Sequence, residues 1–177
     1  GWHSTIYPPY FVAGAVFSGF AMVQTLLLVA RKVCHLEYYI TMYHIEIMNI
    51  VIIITGGMVT VAYGTEYFIG WHSGSRYEDF TYLSPGAATG PYWWAFWALI
   101  TCNLIVPALF WFKRVRTNIM ATFIIALIIN IGMWFERFDI IVINISRDYL
   151  PSSWTMFKPT IIDVGVFLGT IGFFGVL

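Results

Sequence analysis

The chain has 177 residues, of which 59% are hydrophobic, 19% aromatic and only 10% charged; nine Lys and Arg balance nine Asp and Glu. A soluble domain carries about 25% charged residues, so a water-soluble fold is excluded, and zero net charge leaves no basic field for nucleic acid. At about 20 residues per crossing of the hydrocarbon layer, the length allows about five membrane spans and no sizeable extramembrane domain.

The first span is expected from about Tyr10 to Ala30, opened by Pro8 and Pro9 and stopped by Arg31 and Lys32. A second runs from about Tyr38 to Ile69, long enough to tilt or to project past the headgroups. A polar connection, Gly70 to Gly90, leads to a third span from about Pro91 to Phe112 that opens on Tyr92, Trp93, Trp94, Phe96 and Trp97 and ends at Lys113, Arg114 and Arg116. The fourth covers about Thr117 to Ile145, and after a loop from Ser146 to Lys158 Pro159 opens a fifth. The expected architecture is all-α. Residues 1–158 form a four-helix transmembrane bundle, and residues 159–177 are the start of a flanking helix.

Gly1 stands where an initiator Met would, and the chain stops on the apolar Phe174, Gly175, Val176 and Leu177, which suggests an internal piece of a longer protein. Residues 1–9 carry no secretory signal pattern. Arg31, Lys32, Lys113, Arg114 and Arg116 outnumber Arg76, Arg147 and Lys158 on the opposite side, so the first set is expected in the cytoplasm. The small residues Gly56, Thr60 and Gly64 are expected to face a neighbouring helix, and Gly165, Gly169 and Gly172 make a similar row in the fifth span.

Ionisable groups within spans are functional candidates, because a charge at the bilayer centre costs about 2.5–3.5 kcal/mol on insertion scales. Tyr39, Tyr43, Glu46 and Asn49 follow helical steps and are expected on one stripe, with His44 beside them and Glu66 near the far end of the same span. In the fourth span Glu136 and Asp139 share a face, while Asn130, Trp134, Arg137 and Asn144 occupy the next. Arg137 beside two carboxylates is expected to be ion-paired, which serves either to lock two helices together or to tune proton handling. Glu66 can snorkel to water, and His44 and Glu46 can contact headgroups. Asp163, just after Pro159, suits the positive end of a helix dipole. Pro107 should free the carbonyl of Asn103 and kink the third span.

Other chemistries lack their residues. Of His3, His35, His44 and His72 only His44 lies in a span, so no bis-His haem is expected; Cys34 and Cys102 are read as isolated thiols, and no metal site is assigned. No phosphate loop, Ser/His/Asp arrangement or HExxH motif occurs.

The segments "YHIEIMNIVIIITGGMVTVAYGTEYFIGWHSG", "GPYWWAFWALITCNLIVPALFWFKRVRTN", "NIGMWFERFDIIV" and "SRDYLPSSWTMFKPT" resemble the NrfD/PsrC family of quinone-interacting membrane subunits. Within it they are most similar to the ActC-type subunit of bacterial alternative complex III. The resemblance implies two four-helix bundles with flanking helices in a multi-pass protein of the bacterial inner membrane. It implies oxidation of quinol, such as menaquinol, by a multisubunit oxidoreductase in which this chain binds no cofactor alone and no catalytic residue is assigned. The implied partners are an iron-sulfur subunit, c-type cytochrome subunits carrying haem, a homologous membrane subunit, lipids and a terminal oxidase. This chain would be the second bundle, leaving the main quinol pocket in the absent first bundle. The family's proton pathway maps onto His44, Glu46, Glu66, Glu136, Arg137 and Asp139. Two other classes use the same residues: a secondary transporter or ion channel, and a passive anchor for peripheral redox subunits.

Overall fold

The computed structural model describes residues 7–73, 93–143 and 158–176, all of them in helices, turns or short extended links. They fall into two units, residues 1–139 and residues 140–177.

In the first unit, α1 (Tyr7–Val33) ends where Arg31 and Lys32 meet a reversal at His35, whose φ of 52° puts a non-glycine residue in the left-handed region. Arg31 helps to hold that turn by donating through Nε to the Ile40 carbonyl at 2.9 Å. A single 3-10 turn (Leu36–Tyr38) precedes α2 (Met42–Ser73). The second span therefore starts four residues later than expected and leaves Tyr39 outside the helix. At that start the Thr41 hydroxyl and His44 Nδ1 are hydrogen-bonded at 2.9 Å across the first turn. At 32 residues, α2 is about 48 Å long, well beyond a hydrocarbon layer of about 30 Å.

The third span starts as α3 (Trp93–Ile100), widens into a π-turn (Thr101–Ile105), and closes through Val106–Ala108 and a 3-10 turn (Leu109–Trp111). Pro107 accounts for this irregularity. It lacks an N–H, and its ring crowds the carbonyl four residues back, so the helix widens just before it. After the short basic helix Lys113–Arg116, Asn118 caps α4 (Ile119–Phe138) by accepting from the Met120 and Ala121 amides at 3.0 and 3.3 Å. A second π-turn, Asp139–Ile143, continues the chain. These four spans are each long and apolar enough to cross a membrane.

Their buried positions recur in alternating steps of four and three: Tyr10, Gly14, Phe17, Ala21, Gln24 and Leu28 in α1, and Thr122, Ile125, Ile129, Gly132 and Glu136 in α4. In α2 the seam runs through Ile45, Asn49, Ile52, Gly56, Val59 and Tyr63. Such a period keeps one stripe against its neighbours along the whole span. Phe17, Ile52, Val59, Ile129 and Phe110 fill the centre.

The small-residue expectation holds only at one end. Gly56 is buried and a Cβ there would stand 3.0 Å from the Phe17 ring, but Gly64 is exposed and has no atom within 4 Å of such a Cβ. Steps of four advance about 400°, so a 56, 60, 64 row drifts about 40° per step off the seam. Gly56→Ala is expected to destabilise the fold by about 1 kcal/mol and Gly64→Ala by less than about 0.5 kcal/mol, read as thermal midpoints of the purified protein.

In the second unit, α5 (Ile161–Val176) is a shorter apolar helix. Thr160 and Asp163 cap it reciprocally: the Thr160 amide and hydroxyl donate to Asp163 Oδ2 at 2.8 and 2.7 Å, and the Asp163 amide donates to the Thr160 hydroxyl at 3.4 Å. Asp163 thus stands in the first turn of α5, at the positive end of its dipole, as expected from its place after Pro159, and also caps the helix.

Candidate functional site

The α2 and α4 seams each end on a polar residue that must find a partner inside the bundle. Glu136 is only 2% exposed, and its Oε2 accepts the Tyr63 hydroxyl at 2.6 Å. Tyr10 of α1 packs edge-on to Tyr63, ring centroids 5.6 Å apart, and its phenol interacts with both Tyr63 and Glu136. From the third span Asn103 Nδ2 reaches the Tyr63 hydroxyl and Met133 Sδ, each at 3.4 Å. Asn103 can come this close because it meets α4 at Gly132, where any Cβ would overlap its side chain. Four spans thus converge on one carboxylate.

Such a group can hold or release one proton. Among the described residues, ion pairs within 4.0 Å join Arg31 to Glu37 and Arg116 to Glu46, and none includes Glu136. The expected pairing of Arg137 with its neighbouring carboxylates is therefore not the arrangement found. Arg137 is exposed, and its Cζ lies 5.5 Å from the centre of the Phe11 ring. One residue along a helix is a turn of about 100°, which carries Arg137 off the seam that Glu136 occupies.

A second polar layer lies towards the basic ends of the spans. Gln24 Nε2 donates to Asn49 Oδ1 at 2.6 Å, and Asn49 Nδ2 donates to the Arg116 carbonyl at 2.9 Å and the Thr122 hydroxyl at 3.1 Å. Glu46, half-buried beside this layer, accepts from Arg116 Nε at 3.1 Å and Nη2 at 3.0 Å. Glu46 thereby fixes the helix that supplies the Asn49 acceptor. Glu46→Gln should weaken this clamp and lower stability by about 1 kcal/mol, measured as a thermal midpoint; Arg116→Ala should cost more, because it leaves a half-buried carboxylate without its donor.

Between the layers lie the fully buried Phe17, Ile52, Val59 and Ile129. From Asn49 to Tyr63 is 14 residues of α2, about 21 Å of rise. The buried Ile52 and Val59 of α2, packed with Phe17 and Ile129, thus separate the two polar layers.

The remaining candidates are spread out. His44 is exposed in the first turn of α2, Glu66 is exposed beyond Tyr63, and Asp139 is half-buried at the start of the second π-turn. The expected stripe of Tyr39, Tyr43, Glu46 and Asn49 is not one face: Tyr39 precedes the helix, Tyr43 is exposed, and only Asn49 is fully buried. Asn144 lies outside the described residues, as does Arg76.

Tyr10, Gln24, Tyr63, Asn103 and Thr122 were not among the candidates, yet they form most of both layers. Continuing Glu46 and Asn49 in steps of three and four would have reached Tyr63, and Gln24 is a lone amide in an apolar span. Among the described residues no three His, Cys, Asp or Glu side chains group as a metal site.

The family model described as "Polysulphide reductase, NrfD" matches residues 1–146. No curated protein matches the chain. With four membrane-length apolar helices and a family match over most of its sequence, the chain belongs to the NrfD family and is a multi-pass membrane subunit of a redox complex.

Proposed function

We propose that the chain is the membrane subunit of a quinol oxidoreductase of the alternative complex III type, and that its bundle handles the protons of quinol oxidation. Oxidation of menaquinol or a related quinol releases two electrons and two protons. The electrons pass to an iron-sulfur partner, then to c-type haem subunits and a terminal oxidase. The protons need acceptors of another kind. The observation that carries the reading is Glu136, a carboxylate buried within a membrane bundle and held by phenols rather than by a fixed cation.

Asp139, Arg137 and Glu66 extend this end of the bundle towards its surface, and His44 and Glu46 mark the other end. The apolar layer around Phe17 and Ile52 supports local proton exchange at Glu136; transit to Glu46 requires that layer to hydrate. The main quinol pocket belongs to a homologous bundle outside this chain, and the complex resides in the bacterial inner membrane.

The test is purification of the whole complex through a tag on this subunit. Co-purifying iron-sulfur and c-haem signals, reduced by added menaquinol, are expected, with protons released in step with the electrons. A complex that reduces neither centre with quinol but reduces them with another donor overturns the reading.

A further inference from the structure

A groove of about 190 Å³ opens between α2 and the third span, lined by Ile53, Gly56, Gly57, Leu104, Pro107 and Trp111 among others. For scale, a dry apolar cavity of about 150 Å³ holds benzene, so this groove has room for several methylene groups. Its position along the helices is informative. Gly57 lies at the midpoint of Met42–Ser73, and Leu104 lies near the midpoint of Trp94–Trp111, whose last residue is Trp111. The lining covers Ile53 to Thr60 of α2, about 11 Å of helix rise, and Asn103 to Trp111 of the third span, about 12 Å, so the groove lies within the apolar spans and reaches the end of the third at Trp111.

Its chemistry suits hydrocarbon. Of its two polar lining residues, Thr60 donates its hydroxyl to the Gly56 carbonyl at 2.8 Å and Asn103 donates through Nδ2 to the Tyr63 hydroxyl at 3.4 Å; the rest are apolar side chains or glycine. The Pro107 distortion and the two glycines create the hollow: a Cβ on Gly57 would have no atom within 4 Å. At the groove's surface end, Trp111 is 72% exposed, and Lys113 and Arg114 follow within three residues. Both cations are exposed, and neither forms an ion pair among the described residues, whereas Arg116 is engaged by Glu46.

We infer that this groove is a binding site for an anionic phospholipid of the leaflet at the basic ends of the spans. One acyl chain lies along Gly56, Gly57 and Leu104, Trp111 sits at the glycerol level, and the phosphate is held by Lys113 and Arg114. An exposed Trp and two exposed cations at a span end, beside a mostly apolar hollow within the span, match both halves of such a lipid.

The experiment uses the whole complex, delipidated in detergent, exposed to phosphatidylglycerol or phosphatidylcholine and read by native mass spectrometry. Wild type should retain phosphatidylglycerol in preference to phosphatidylcholine. Lys113→Gln with Arg114→Gln should abolish that preference, with retention falling about five-fold per removed charge. Gly57→Leu fills the chain groove and should reduce retention of both lipids. Unchanged phosphatidylglycerol retention in both variants overturns the site, as does equal retention of the two lipids by wild type. Because the helix surfaces at these positions have room, variant complexes should form in normal amount. If Gly57→Leu instead prevents subunit association, the groove seats a protein helix and the lipid assignment fails.

Discussion

Glu136→Gln is expected to slow proton transfer linked to quinol oxidation by about 100-fold while leaving the complex assembled, since positioned acid-base groups contribute 10²–10⁴. The amide keeps the size of the side chain and an oxygen that can accept from Tyr63, now 2.6 Å from the carboxylate. It cannot give up or take a proton. Tyr63→Phe should produce a smaller defect in the same measurement, because it removes the main donor to Glu136 and also an acceptor for Asn103. Asp139→Asn should act less strongly than Glu136→Gln if the buried member of the pair is the carrier. Proton yield per electron in proteoliposomes, with haem content as the measure of assembly, separates these cases. Wild-type proton yield and turnover in Glu136→Gln would reduce the cluster to a structural hydrogen bond, leaving membership of a redox complex untouched.

The second large effect is expected at Gly132. A Cβ there would overlap the Asn103 side chain and stand 2.6 Å from Cys102 Cβ, so Gly132→Ala forces α4 and the third span apart. Overpacking of this kind costs about 1–3 kcal/mol, enough to lower the amount of mature complex. The complex that does assemble should also share part of the Glu136→Gln defect, because displacing Asn103 removes its contact with Tyr63. Gly57→Ala is the control: its Cβ meets nothing within 4 Å, and abundance should stay near wild type. Equal abundance of the two variants would show that the close approach at Gly132 is relaxed in the assembled protein.

Much of the bundle was legible in the residues themselves. Apolar runs of span length, Arg31 and Lys32, the Lys113 to Arg116 cluster and Pro159 located all five helices to within a few residues, because the cost of exposing peptide groups and charges to hydrocarbon acts locally along the chain. Pro107 likewise announced a distortion, since a missing N–H is a local fact. The start of α2 was misplaced because Tyr38 to Thr41 are as compatible with a helix as with the turn that Thr41 and His44 close.

Partners were a different matter. Sequence spacing put Glu136, Arg137 and Asp139 near one another, yet which faces inward depends on the rotation of α4 against three other helices. That rotation, set by the seam from Thr122 to Glu136 and by the contact of Gly132 with Asn103, sends Glu136 to Tyr63 and Arg137 to Phe11. Tyr10 and Glu136 are 126 positions apart, and nothing local to either names the other. The sequence by itself determined that the chain spans a membrane and that some polar groups must be buried there. Only the tertiary structure decided which groups meet, because a hydrogen bond inside hydrocarbon is fixed by how whole helices pack and not by the residues beside it.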